Sequence, residues 1–331
     1  MLIEVYIDVV CPWAHAGKRR LEAALAELGD PEAIVVWRPY LLDPTAPAVS
    51  VPLADQPEAE AAQLQSVPGF SLDLTKHRVA QLANAEGLPT PDPRYRTSTW
   101  AAHRLIQAAG DAGPDVQSAV VEAIMAAHFA GEDVNRIDLL GGIADRYGLP
   151  SPVPVAGTEH ALAYLEAGFD PADPSERTTR EAYWTGRAAD IASSPTFVVD
   201  GAALVGAQPV ETILAHLRAE REPARPWPAE VRRLRLAEAL LDRRDPLGCL
   251  YVLAPLRPEH DDDPNLEILA ARALLASASL RPAREKLERL VAQYPGDAYL
   301  HGLLGRALKR LGDPEADAHL AIAGALDAAE E

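Results

Sequence analysis

Residues 2–17 read LIEVYIDVVCPWAHAG and contain both a strand signal and a helix start. Apolar and polar side chains alternate over 2–10, which is typical of a β-strand. Pro12 follows, and proline suits the first position of a helix because its missing N–H has no partner there. Residues 12–28 carry a stripe of leucine and alanine and are followed by Gly29, so we predict a helix over 12–28.

Cys11 lies at or just before the predicted start of this helix. Unpaired backbone N–H groups and the positive end of the helix dipole stabilise a thiolate there, which predicts a lowered pKa. A thiolate attacks a disulfide or another electrophile. The alternative is an inert cysteine at the end of a strand.

Length and composition limit the classes of function. The chain has 331 residues, about two domains of ~150 residues each. Lys and Arg total 31 against 49 Asp and Glu, and the net charge of −18 repels phosphate backbones and anionic membranes. We therefore expect no nucleic-acid partner and no membrane association. Cys11 and Cys249 are far apart, so we predict no disulfide framework and no metal site.

The chain opens directly in a strand, without a basic segment or a cleavage motif. It also lacks an apolar run of the ~18 residues needed to cross a bilayer. We therefore expect a cytoplasmic protein.

Further elements follow from periodicity. A second strand is predicted over 34–40, then a proline-rich loop over roughly 43–70, and a hairpin turns at Asp200-Gly201 before a closing helix over 209–220. No strand pattern appears between 72 and 191. Helices are predicted over 71–87, 97–109, 114–130, 136–148 and 175–191, with a looser apolar segment near 158–168.

The sequence pattern changes after residue 222, which indicates a second domain. Residues 223–228 are rich in proline and are interpreted as a linker after a first domain of residues 1–222. Beyond them, Ala237, Ala271 and Gly305 are 34 residues apart, which is the tetratricopeptide period. We predict about three helix pairs over 229–331, enough for a stable stack.

Several ordered motifs of the first domain resemble a known family. They are DVVCPWAHAGKRRLE (8–22), YLLDP (40–44), TWAAHRLI (99–106), HFAGED (128–133), SPTFVVDG (194–201) and VGAQP (205–209). Over residues 1–220 the chain is similar to DsbA-like thiol–disulfide oxidoreductases, especially the cytoplasmic FrnE-type subgroup. The resemblance implies an α/β thioredoxin-like fold with a helical insertion over about 71–191, followed by the all-α repeat domain.

The same resemblance implies a set of site residues. Ser194–Pro195 would be a cis peptide facing Cys11, and Pro12, Trp13, Ser194 and Pro195 would contact the substrate. Without the resemblance, Pro195 would simply begin an edge strand.

Position 14 departs from the family pattern. The family normally has Cys-Pro-Trp-Cys, whose second thiol attacks the mixed disulfide and releases the substrate. Ala14 cannot do this. Either Ala14 was introduced, or the protein is a natural monothiol that needs an external thiol such as glutathione or mycothiol, with no tightly bound cofactor. Cys249 falls at a helix-packing position and is not a credible replacement.

Other side chains near the motif have two interpretations. His15, four residues after Cys11, could serve as a cation or proton donor, or could fill a position that is often aromatic in the family. Trp13 is either a substrate platform or ordinary packing. Lys18 is predicted on a solvated helix face, and His103 and His128 are interpreted as structural residues.

Three functions remain open. The first is a thiol–disulfide oxidoreductase with Cys11 as nucleophile, acting on a disulfide-containing protein or small molecule. The second is a thiol-cofactor-dependent isomerase or transferase of the kappa type, which needs no resolving cysteine. The third is a non-catalytic interaction protein, in which the repeats bind a protein partner or mediate self-association.

Overall fold

A four-stranded sheet forms the centre of the first part of the chain. The strands of the described residues are β1 (Leu2–Ile7), β2 (Ile34–Pro39), β3 (Val51–Pro52), β4 (Tyr95–Arg96), β5 (Thr196–Val199) and β6 (Ala202–Val205). The strand order of the central sheet is β2-β1-β5-β6, with β1 parallel to β2 and antiparallel to β5. A separate two-stranded sheet joins β3 and β4.

The structure is a computed structural model and describes residues 1–55, 72–90, 94–150, 174–220, 228–256, 260 and 263–330. Contacts divide the chain into two compact units. The first unit contains residues 1–186 and 190–225, and the second contains 187–189 and 226–331. The predicted linker, apart from Pro228, and the apolar segment near 158–168 lie outside the described residues.

The helices of the first unit surround the central sheet. They are α1 (Pro12–Leu28), α2 (Leu72–Glu86), α3 (Trp100–Asp111), α4 (Pro114–Phe129), α5 (Ile137–Arg146), α6 (Pro174–Ala188) and α7 (Val210–Arg218). Helix α1 begins at Pro12 and is capped by Gly29, whose φ of 66° is left-handed. It packs against α7, while α3 and α4 pack against β2.

The core of this unit is continuous across the sheet. Val5 of β1 pairs with Trp37 of β2 on one side and with Phe197 of β5 on the other, and all three are buried. Alternate residues of β1 thus supply apolar side chains, as the strand pattern predicts. This packing fixes the point at which β1 ends and the chain enters α1.

The small sheet corrects two predictions: β4 is a strand between 72 and 191, where none was expected, and β3 lies in the loop predicted over roughly 43–70. Val51 pairs with Arg96 and Pro52 with Tyr95. Two-residue strands are too short to show alternation, so periodicity could not reveal them.

The second unit is built of helices with apolar seams. They are α8 (Ala229–Asp242), α9 (Pro246–Leu253), α10 (Pro264–Ala276), α11 (Leu280–Gln293), α12 (Ala298–Leu311) and α13 (Ala316–Glu330). Asp245, Asp263 and Asp297 each accept a backbone N–H at the start of a helix. Successive helices pack against each other. The helical prediction for this region is confirmed, and the tetratricopeptide assignment stays a prediction.

Among the helices that the structure describes, none combines the length and apolarity required to cross a membrane.

Candidate active site around Cys11

Cys11 is the residue at which β1 passes into α1. It occupies the N-cap position with extended backbone (φ −84°, ψ 115°), and its carbonyl accepts the N–H of His15 at 3.1 Å. Its Sγ donates to the carbonyl oxygen of Ser194 at 3.3 Å, across 183 positions of sequence. The pairing of β5 with β1 makes this contact possible, because Ser194 lies just before β5.

Ser194 is held at its side chain as well as at its carbonyl. Its Oγ accepts the backbone N–H of Asp8 at 2.8 Å, so the residue is anchored to the end of β1. The Ser194–Pro195 peptide bond is cis. Cys11, Ser194 and Pro195, which the family resemblance implied to be neighbours, therefore lie together.

Burial determines the acidity of Cys11. The residue is 3% exposed, and desolvation raises the pKa of its thiol to about 11, although the backbone N–H of Ala14 and the side chain of Ser194 act in the opposite direction. The prediction of a lowered pKa is wrong for this structure. The expected N–H groups are present, but the free energy needed to remove the thiolate from water exceeds the stabilisation that these groups provide.

The other residues of the motif have different surroundings. Ala14 is fully buried, and Pro12 and Trp13 are half-buried. The His15 ring stacks on Phe129 with centroids 4.6 Å apart. Burial lowers the pKa of His15, so its imidazole is neutral at pH 7 and supplies no positive charge to Cys11.

Gly17 is a site residue that the sequence analysis missed. A Cβ on Gly17 would lie 2.7 Å from Cγ of Pro195 and 3.3 Å from Cζ of Phe197. The second turn of α1 can therefore approach Pro195 only because position 17 has no side chain. The signal available in the sequence was a glycine inside a helix, where it is otherwise unfavourable.

Lys18 is buried, which corrects its placement on a solvated face. Its Nζ donates to Glu22 at 2.5 Å and to Glu122 of α4 at 2.7 Å. Lys18 precedes Glu22 by one helical turn, but Glu122 comes from α4, and no local pattern predicts that partner. A buried charge is tolerated when it is paired in this way.

Three polar residues from separate elements of the chain come together beside the motif. Asp8 Oδ2 accepts the backbone N–H of Leu42 at 2.8 Å, while Oδ1 lies 3.8 Å from Nε2 of His103. His128 is also near, and burial lowers its pKa to about 4. The side chains come from the end of β1, from α3 and from the end of α4.

A cavity of about 240 Å³ opens beside this group and beside Val10 and Pro12, the two neighbours of Cys11. Asp8 and His128 belong to its wall. Its apolar lining residues are Val10, Pro12, Leu42, Leu53, Val79, Leu82, Ala83, Leu88, Pro89 and Phe129. Within the described ranges, no three His, Cys, Asp or Glu side chains are grouped as metal ligands.

Comparison with models of known families assigns the chain to one of them. Residues 2–218 match the model of the DSBA-like thioredoxin domain. The chain belongs to this family. The DSBA-like match contains β1, α1 and β5, and therefore Cys11 and Ser194.

Two solved structures are similar to the chain. A probable DsbA oxidoreductase from Streptomyces coelicolor is 28% identical with a TM-score of 0.47, over 69% of this chain and 94% of that one. A 2-hydroxychromene-2-carboxylate isomerase is 14% identical with a TM-score of 0.44, over 66% of this chain and 94% of that one. A search of curated proteins found no match.

Proposed function

We propose that this DSBA-like protein is a thiol–disulfide oxidoreductase with Cys11 as its single nucleophile. The observation that carries the proposal is the 3.3 Å contact between Cys11 Sγ and the Ser194 carbonyl at the start of α1. Because of this contact, the Cys11 sulfur, the N–H groups at the start of α1 and the Ser194 carbonyl before β5 lie close together. The motifs over 8–22 and 194–201 support the FrnE-type subgroup within the family.

The proposed reaction has two displacement steps. The Cys11 thiol first loses its proton to solvent, and its thiolate attacks one sulfur of the substrate disulfide. A mixed disulfide forms and the other substrate sulfur leaves as a thiolate. During this step Sγ gives up its hydrogen bond to Ser194, and the N–H groups of Trp13 and Ala14 stabilise the negative charge.

The second step needs a thiol from outside the chain. Position 14 is an alanine, and the other cysteine, Cys249, is buried in the second unit. A low-molecular-weight thiolate, such as that of glutathione or mycothiol, attacks the substrate sulfur of the mixed disulfide. Cys11 leaves as a thiolate and takes up a proton, and the substrate is released joined to the small thiol.

An A14C variant on a C249S background tests this mechanism. The C249S protein is expected to stop at a mixed disulfide when no small thiol is present, which mass spectrometry detects as an adduct. A14C restores an internal resolving thiol, so substrate is released and a Cys11–position 14 disulfide forms without added thiol. Release of substrate by C249S alone, at the rate seen with glutathione or mycothiol, would contradict the external-thiol step.

A thiol-cofactor-dependent isomerase or transferase is the second candidate. One observation favours it: the mostly apolar cavity beside Cys11 suits a small molecule better than an extended peptide. Such an enzyme needs no second cysteine, which agrees with Ala14. Saturable binding of a thiol tripeptide without disulfide reduction would support this candidate over the first.

For residues 229–331 we propose tetratricopeptide-like packing that binds a protein partner or a second copy of the chain. The 34-residue recurrence of small residues supports it. Gly305 is one of them, and a Cβ there would lie 2.7 Å from Cγ of Leu320 on α13.

A further inference from the structure

The cavity beside Cys11 has an uneven distribution of polar groups. Apolar side chains from the turn after β1, from α2 and the loop that follows it, and from the end of α4 form most of its wall, and Thr90 and Arg94 are exposed at its edge. Asp8, by contrast, is 2% exposed. The cavity therefore joins a solvent-facing edge to a buried carboxylate.

Asp8 has hydrogen-bonding capacity that the protein leaves unused. Its Oδ2 accepts one N–H, from Leu42. Its Oδ1 has no hydrogen-bond partner among the described residues, and the nearby His103 Nε2, at 3.8 Å, is too distant to be one. A buried carboxylate oxygen without a partner is unfavourable, so a donor placed in the cavity would gain from reaching it.

We infer that this cavity binds a mainly apolar small molecule that carries a protonated amine, with the Asp8 carboxylate as counter-ion to the amine. The inference deepens the proposed function by naming a substrate class, and it rests on that function only for the role of Cys11. An ammonium group supplies both the hydrogen bond and the positive charge that Asp8 Oδ1 lacks.

The charges at the buried end of the cavity favour a cation over an anion, because Arg94, one of the two arginines in the described wall, lies at the exposed edge. His128, whose pKa is about 4, is neutral at pH 7 and adds no positive charge to the buried end. The Arg96 guanidinium on the cavity wall donates to Asp43 at 2.8 Å, so these two charges balance each other. The net charge of −18 attracts cations from solution as well.

Volume sets the size of the ligand. An apolar cavity of roughly 150 Å³ accommodates benzene. At about 240 Å³, this cavity has room for an aromatic ring with a two-carbon arm. 2-Phenylethylamine is therefore a suitable probe, with 2-phenylethanol and 3-phenylpropionate as its neutral and anionic counterparts.

Titration calorimetry on the full chain at pH 7 tests the inference. The amine is expected to bind more tightly than the alcohol by roughly 10- to 100-fold, the usual effect of a charge-assisted hydrogen bond, and the carboxylate not at all. Equal binding of amine and carboxylate would overturn the inference.

Two variants and a matched control locate the bound amine. D8N keeps an oxygen for the Leu42 N–H but removes the charge, so it should abolish the preference for the amine over the alcohol. D111N, which changes an exposed carboxylate outside the cavity wall, should preserve it. A83F fills the cavity from α2 and should weaken all binding, which keeps the test decisive if D8N does not fold. An amine preference that survives in folded D8N, or unchanged binding by A83F, would contradict the site.

The C11S variant separates this inference from the proposed function. Amine binding by C11S should equal that of the unmodified chain, since Asp8 and the apolar wall are unchanged. If Cys11 proves chemically inert and the amine still binds, the proposed function fails and the binding site stands. If Cys11 reacts and no amine binds, the reverse holds.

Discussion

The regions around the two cysteines share one property and differ in another. Cys11 is 3% exposed and Cys249 is 0% exposed, and burial raises the thiol pKa of each, to about 11 and about 12. Cys11, however, lies at a helix start with Sγ against the Ser194 carbonyl, whereas Cys249 lies inside α9. Burial therefore does not distinguish a candidate nucleophile from a packing residue, and the backbone groups around the sulfur do.

The largest expected effect is the difference in the rate of disulfide exchange between the C11S and C249S variants. C11S should lower the rate of disulfide exchange by at least roughly a thousandfold, as loss of a covalent nucleophile does. C249S should retain the full rate, because Cys249 is in the other unit. Turnover with glutathione and a small disulfide measures both rates. Equal losses of rate in the two variants would show that the two cysteines do not differ in function.

The pH dependence of alkylation sharpens the comparison. Burial disfavours the thiolate, so with a pKa of about 11 the reaction of iodoacetamide with C249S should accelerate by about tenfold per pH unit from pH 7 to 10. A plateau below pH 8.5 would show that the helix start outweighs burial.

The neutral thiol also stabilises the fold below its ordinary pKa of 9.0, and this contribution is lost as the pH rises towards about 11. On the C249S background, which removes the similar contribution of the Cys249 thiol, C11S should not show that loss.

Two glycines test packing in the two regions. A Cβ would lie 2.7 Å from Pro195 at Gly17 and 2.7 Å from Leu320 at Gly305. Overpacking costs about 1–3 kcal/mol and exceeds the helix-propensity gain of about 1 kcal/mol. G17A and G305A should thus both lower the unfolding free energy, but G17A alone should change the alkylation rate of Cys11.

G142A and G324A are the matched controls, because nothing lies within 4 Å of a Cβ at either position. Both lie inside helices and should gain stability slightly. A loss of stability in the controls equal to that in G17A and G305A would show that close approach is not the cause.

The smallest expected effect is that of H15F. His15 stacks on Phe129 and both its ring nitrogens lack partners among the described residues, so phenylalanine should change exchange rates by less than about threefold and leave stability equal or higher. A large loss of activity, accompanied by a change in its pH profile, would restore the proton-donor role.

Local signals in the sequence were sufficient for much of the fold. The alternation over 2–10 and the proline at position 12 place β1 and α1, and Asp200-Gly201 marks the hairpin between β5 and β6. These features depend on neighbouring residues, whose preferences are readable in sequence. Helix ends were less accurate: the helix predicted over 97–109 spans Trp100–Asp111.

The properties of the site depend on residues that are distant in sequence. The burial of Cys11 and the partner of Lys18 on α4 arise only when helices pack on the sheet. The approach of His103 to Asp8 has the same origin. The cysteine could therefore be found from its motif, but its pKa could not.

The burial of Cys11 also affects how the thiol survives oxidants. The first unit contains no other cysteine, so an oxidised Cys11 has no neighbour there with which to form a protective disulfide. Oxidation beyond sulfenic acid is essentially irreversible, and susceptibility follows thiolate character and exposure. The sulfur is protonated and belongs to a residue that is 3% exposed, so it resists peroxide on both counts, which preserves a lone thiol until a substrate reaches it.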